Sequence, residues 1–101
     1  MIVIRFANKK LETAYYKLQS GIKIWNQTIA KKYIERVNAL QNLNDAAEFS
    51  QAFPHYSDHA LKGNKRHLRA FILHDRWRVE YEVELNGKGV IIREVSNHYG
   101  D

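Results

Sequence analysis

Residues 77 to 85 read Trp77-Arg78-Val79-Glu80-Tyr81-Glu82-Val83-Glu84-Leu85, apolar and charged side chains in strict alternation. Successive side chains of an extended strand point to opposite faces, so the pattern specifies a strand with one buried and one charged face. Asn86-Gly87 follows at once and leads into Val90-Ile91-Ile92-Arg93-Glu94-Val95. Asn-Gly supplies the positive φ angles that a tight hairpin needs, so a second strand is expected to fold back on the first. Leu68 to Leu73 gives a further strand, turning back near His74-Asp75, and Ile2 to Phe6 an opening one.

Between the first strand and the later ones the apolar period changes from two to about 3.6. Asn8 is a plausible N-cap, after which Leu11, Ala14, Tyr15 and Leu18 recur at helical spacing until Gly21 supplies a stop. A second stripe, Ile22, Trp25, Ile29, Tyr33, Val37 and Leu40, carries Lys31, Lys32, Glu35 and Arg36 between its members and is expected to end near Leu43-Asn44-Asp45. Residues 44 to 58 hold the single Pro and no period, and read as a connecting loop with about one helical turn. The order implies an α+β domain over residues 1–101, with two N-terminal helices covering a small antiparallel sheet.

A chain of 101 residues can bury about 65% of its extended surface, enough for one two-layer core and no cleft between domains. Any active site is therefore expected on an open face. With 45% hydrophobic and 27% charged residues the composition excludes a disordered chain, and the absence of Cys excludes disulfides, Cys-ligated zinc and thiol nucleophiles. No apolar run approaches the roughly 20 residues that cross a bilayer, so no membrane partner and a cytoplasmic location are expected. No His pair has the helical spacing of a metal-binding motif and no Gly-rich phosphate loop is present, so neither metal nor small-molecule cofactor is expected.

The formal charge is +5, and its distribution is informative. Residues 59 to 78 hold Lys62, Lys65, Arg66, Arg69, Arg76 and Arg78 against Asp75 alone, whereas cations and acids balance over the rest of the chain. His59, His67 and His74 lie in the same stretch. Such a local field attracts polyanions, above all nucleic-acid phosphates; a solvated basic edge strand is the alternative.

The segment His59-Ala60-Leu61-Lys62-Gly63, the strand around Trp77-Arg78-Val79 and the ending Asn97-His98-Tyr99 together resemble the RelE/ParE superfamily of bacterial toxins. Within it the chain looks most like the HigB branch, which shows a His-x-Leu-Lys-Gly segment, an Asn-Trp-Arg strand and a final Asp-Tyr-His. It is also similar to YoeB, which ends in His-Tyr, and to YafQ, which shares an Asp-His-x-Leu-x-Gly pattern with Asp58 to Gly63. The resemblance implies a RelE-like fold and a ribosome-dependent mRNA endoribonuclease paired with a cognate antitoxin. A ParE-like inhibitor of DNA gyrase is the alternative that the superfamily offers.

The chemistry can be set beside those residues. Metal-free RNA cleavage needs a base for the 2′-hydroxyl proton, an acid for the leaving 5′-oxygen and cations on the phosphate. The resemblance assigns His59 as base, Arg78 to transition-state charge, Lys62 to the phosphate, and His98 with Tyr99 to proton transfer and base stacking. Lys65, Arg66, Arg69 and Arg76 are expected to contact the RNA or ribosome backbone. Arg78 has a competing reading as the cross-strand partner of Glu80, Glu82 or Glu84. The chain departs from HigB in the order of its last two aromatic residues, which leaves open which of His98 and Tyr99 moves the proton, and in Arg76, which stands where Asn is usual.

Overall fold

The structure is a computed structural model, and it describes residues 1–97. Among them five strands form one sheet in the order β1-β5-β4-β3-β2, with β1 Val3–Phe6, β2 His59–Ala60, β3 Arg69–His74, β4 Trp77–Glu84 and β5 Gly89–Ser96. The antiparallel meander expected from the alternation is present in β3, β4 and β5. β1 departs from expectation, because it pairs parallel to β5 and makes the sheet mixed at that edge. Helices α1 Lys9–Tyr16, α2 Leu18–Ile24 and α3 Gln27–Gln41 follow β1, and a single turn, α4 Phe49–Ala52, precedes β2.

The expected pair of helices is therefore a hairpin whose first arm is broken. Asn8 caps α1 through its side chain, which accepts from Leu11 N–H at 2.9 Å, and α1 buries Leu11 and Ala14. Lys17 is extended at φ −131°, and the chain restarts as α2. Gly21 does not stop the helix, for it lies inside α2, and a Cβ there would stand 2.9 Å from the Cβ of Ala30. Its role is close approach of α2 to α3 rather than termination. Asn26 caps α3, so Ile22 and Trp25 precede it, while Ile29, Tyr33, Val37 and Leu40 form its buried stripe as expected.

Arg36, read from sequence among the exposed charges of α3, is instead buried. Its guanidinium lies 4.2 Å over the Tyr56 ring and donates to the carbonyl of Ile72. β2 has only two residues, so the edge of β3 that faces it has no ladder partner beyond Ala70, and Arg36 supplies a donor there.

The aperiodic stretch 44 to 58 is more ordered than a loop. Asp45 and Glu48 form a reciprocal capping box, and Phe49 is fully buried at 5.2 Å from Phe71 and 6.4 Å from Tyr81, ring to ring. The β4–β5 connection also differs from a two-residue turn. Pairing closes at Glu84 and Gly89, and Leu85, Asn86 and Gly87 all have positive φ. Leu85 thus leaves the strand and is exposed, and Gly87 is required because a Cβ would meet the Asp45 carboxylate at 2.3 Å.

Gly21→Ala should destabilise the protein by about 1–3 kcal/mol despite the better helix propensity of Ala, because neither Cβ at the α2–α3 contact can move aside. A shift of the urea midpoint to lower concentration checks this; an unchanged or higher midpoint would contradict it.

Candidate functional site

β2 is placed by side chains more than by its ladder. Pro54 opens a 3-10 turn that ends at the buried Tyr56, and Ser57 then takes left-handed angles, φ 56° and ψ 39°. That conformation costs a non-glycine residue roughly 1–2 kcal/mol and persists only where neighbours hold it. The holder is Asp58. Its carboxylate is 2% exposed, accepts from Arg69 Nε at 3.1 Å and Nη2 at 2.8 Å, and accepts from the Tyr81 hydroxyl.

His59 comes next and is exposed. Its Nδ1 lies 2.8 Å from the Ser57 carbonyl oxygen. A carbonyl only accepts, so Nδ1 donates, and the neutral ring presents the lone pair of Nε2.

Register places the other groups. His59 stands opposite Ala70, Ala70 opposite Glu80, and Glu80 opposite Glu94; two pairs along, Ile72, Arg78 and Ser96 form the next row on the same face. Residues directly opposite share a face, so His59 and Arg78 lie together on the side away from the core row of Phe71, Val79 and Tyr81. Two strand spacings and a two-residue offset put their Cα atoms about 12 Å apart. Only a methyl group, that of Ala70, stands in the row between His59 and Glu80.

The loop from β2 to β3 borders this face. Leu61, Lys62, Asn64 and Lys65 line a groove of about 340 Å³ with Glu80, Glu94 and Ser96. Lys65 Nζ is 3.2 Å from both carboxylate oxygens of Glu80, whose side chain is 4% exposed, so its charge offsets that buried acid. Lys62 and Arg66 are exposed. Arg78 Nη1 donates to the carbonyls of Asp75 and, at 3.1 Å, Trp77, which fixes the guanidinium near the β3–β4 turn. Arg76 lies in that turn beside Asp75, Trp77 and Asn97. Among the acids of β4, Glu80 pairs with Lys65, Glu82 with Arg93 at 2.6 Å, and Glu84 with Arg5 at 2.8 Å.

Arg69 stands apart from this group. It pairs across the ladder with Tyr81 on the core side, in the Asp58 clamp, and borders a second cavity of about 450 Å³ with Asp45, Ser50 and Asn86. His98 and Tyr99 lie outside the described residues. β5 ends at Ser96, opposite Arg78. Among the described residues no cluster of His, Asp or Glu could hold a metal ion, and no helix is long and apolar enough to cross a membrane.

Sequence reasoning missed Asp58 and Glu80 as parts of the site. Asp58 was visible only as a member of a pattern, and Glu80 looked like one of three solvated acids. A usable signal existed at Tyr81, a buried tyrosine whose hydroxyl must find a partner.

Burial, followed by the adjacent Asp58 charge and its hydrogen bond, pushes the Tyr81 hydroxyl far above its ordinary value of 10.0, against a smaller opposing effect of Arg69. Tyr33 is raised too, by burial and then by Tyr15. A folded-state pKa above the unfolded one contributes stability that is complete below the unfolded value and is lost as pH rises past it. The urea midpoint should therefore start to fall above about pH 10, and Tyr81→Phe should flatten that fall; equal slopes for the two proteins would contradict the assignment.

No family model matches the chain, and no curated protein matches it in sequence. Solved structures do match over nearly its whole length. The YoeB-YefM complex from Staphylococcus aureus aligns with TM-score 0.62 at 19% identity, covering 98% of this chain and 99% of that one. A YoeB/ParE toxin from Agrobacterium tumefaciens aligns with TM-score 0.58 at 16% identity, over 97% and 100% of the two chains. A YafQ variant from E. coli gives 0.55 at 14% identity, over 97% and 94%. The chain thus has the α+β fold of the RelE/ParE toxins, with N-terminal helices on a mostly antiparallel five-stranded sheet.

Proposed function

We propose that this chain is the toxin of a type II toxin-antitoxin pair and an endoribonuclease that cuts mRNA at the ribosome by metal-independent acid-base chemistry. The observation that carries the reading is His59 on one face with Arg78, its Nδ1 hydrogen committed to Ser57 and its Nε2 lone pair available. Nε2 takes the proton of an RNA 2′-hydroxyl, the 2′-oxygen attacks phosphorus, and the bond to the 5′-oxygen breaks. A 2′,3′-cyclic phosphate and a 5′-hydroxyl result. Arg78 and the exposed Lys62 balance the charge that grows on the phosphoryl oxygens.

His98 or Tyr99 supplies the leaving-group proton in this proposal. Lys65, Arg66 and Arg76 add longer-range attraction for RNA and the ribosome, with Lys65 weakened in that role by its ion pair to Glu80, whereas Arg69, expected there from sequence, is committed to Asp58 on the core side. The His59-x-Leu61-Lys62-Gly63 segment and the Trp77-Arg78 strand favour a HigB-like member. A cytoplasmic antitoxin protein is the expected partner, in keeping with the two-protein YoeB-YefM complex.

Primer extension on translated mRNA tests the proposal. Wild type should cut; His59→Ala should lose roughly 10²–10⁴-fold in rate and Arg78→Ala roughly 10²–10³-fold. Intact transcripts with wild type, together with a block of DNA supercoiling, would replace this reading by a ParE-like inhibitor of gyrase.

A further inference from the structure

We propose that Asp58 is a positioning residue for His59, acting through the backbone to fix which imidazole nitrogen carries the proton. The inference rests on the reading of His59 as the base, and its own observations are geometric. β2 is two residues long and both are exposed, so strand pairing alone leaves the His59 ring free to reorient. Nδ1 is nevertheless held 2.8 Å from the carbonyl of Ser57, a residue in the left-handed conformation. What keeps that carbonyl in place is the next residue. One Asp58 oxygen receives both Nε and Nη2 of Arg69 and the other receives the Tyr81 hydroxyl, so the carboxylate is tied to β3 and β4 at once.

The sequence of constraints runs from Tyr81 and Arg69 to Asp58, from its backbone to the Ser57 carbonyl, and from there to Nδ1. An unconstrained neutral histidine favours the tautomer protonated at Nε2, which has no lone pair to offer at that nitrogen. The clamp selects the other tautomer and so leaves Nε2 as an acceptor. In a Ser-His-Asp triad a carboxylate orients the imidazole by direct contact; here Asp58 reaches the ring only through the Ser57 carbonyl.

A merely structural Asp58 would lower stability and leave the ring unaltered, so the test reads the ring directly. Imidazole ¹⁵N shifts of His59 are measured at a pH where the ring is neutral, in wild type, Asp58→Asn and Tyr81→Phe, each first shown to be folded by its urea transition. Wild type should show the Nδ1–H form, and both variants should move toward Nε2–H. Single-turnover cleavage should slow by roughly tenfold or more with KM nearly unchanged, the pattern of a misdirected base rather than lost binding. Should Asp58→Asn not fold, Tyr81→Phe decides, since it keeps the buried ring and removes only one donor. An unchanged tautomer in the folded variants overturns the positioning role, whatever His59→Ala does. Undiminished cleavage by His59→Ala overturns the base assignment instead, and with it the catalytic part of this inference.

Discussion

A carboxylate withdrawn almost wholly from water must be surrounded by donors, and at Asp58 this requirement organises the site-bearing end of the sheet. Its donors come from β3 and β4, while the residue itself belongs to the segment that enters β2. The same segment is also held by Arg36 of α3, which stacks on Tyr56 and reaches Ile72. Residues 54 to 60 are therefore fixed by two side-chain anchors, at Tyr56 and at Asp58, rather than by a long ladder. A two-residue edge strand is otherwise too short to hold the His59 side chain in register.

The anchors matter because the face they serve is crowded with charge. Glu80, Glu82, Glu84 and Glu94 would make a field hostile to RNA. Lys65, Arg93 and Arg5 answer the first three by cross-strand or loop contacts. The bulge in β5 contributes to this arrangement. Pairing passes from Glu80–Glu94 to Tyr81–Ile92, which leaves Arg93 as the extra residue, and its guanidinium meets Glu82. The two more exposed pairs, Arg93–Glu82 and Arg5–Glu84, add at most about 1 kcal/mol each to stability. The larger effect of the three pairs is local neutralisation of Glu80, Glu82 and Glu84.

Much of this was legible because it follows from periods. The alternation from Trp77 to Glu84 and the stripe Ile29, Tyr33, Val37, Leu40 each place a core face, and Asn8 announces a helix start through the chemistry of its side chain. What escaped was decided by tertiary contact. Gly21 looks like a terminator because glycine often is one, but only the neighbouring Ala30 tells that it is a contact point. Phe49 lies in a stretch without period, and nothing local predicts that the core centre would take it. Arg36 is charged and sits among charged neighbours; its burial depends on an unpaired carbonyl of β3 that exists only because β2 is short. Parallel pairing of β1 likewise follows from the path of the helices and not from the residues of β1.

The basic segment shows how far charge counting reaches. Residues 59 to 78 form one cationic stretch in sequence, yet strand parity and loop geometry divide it. Lys62, Lys65 and Arg66 belong to the loop at the groove, Arg76 to a turn, and Arg78 to the outer face. Arg69 is one residue from Ala70 and therefore on the opposite side, where its charge stabilises Asp58 instead of meeting a polyanion. The same residue type does two kinds of work within ten positions. A shift of one residue in the register of β3 would exchange those roles, sending Arg69 to the outer face and leaving Asp58 buried without its donor. The geometry of His59 is thus tied to the hydrophobic pattern of β3, since Phe71 and Leu73, by seeking the core, decide which way Arg69 points.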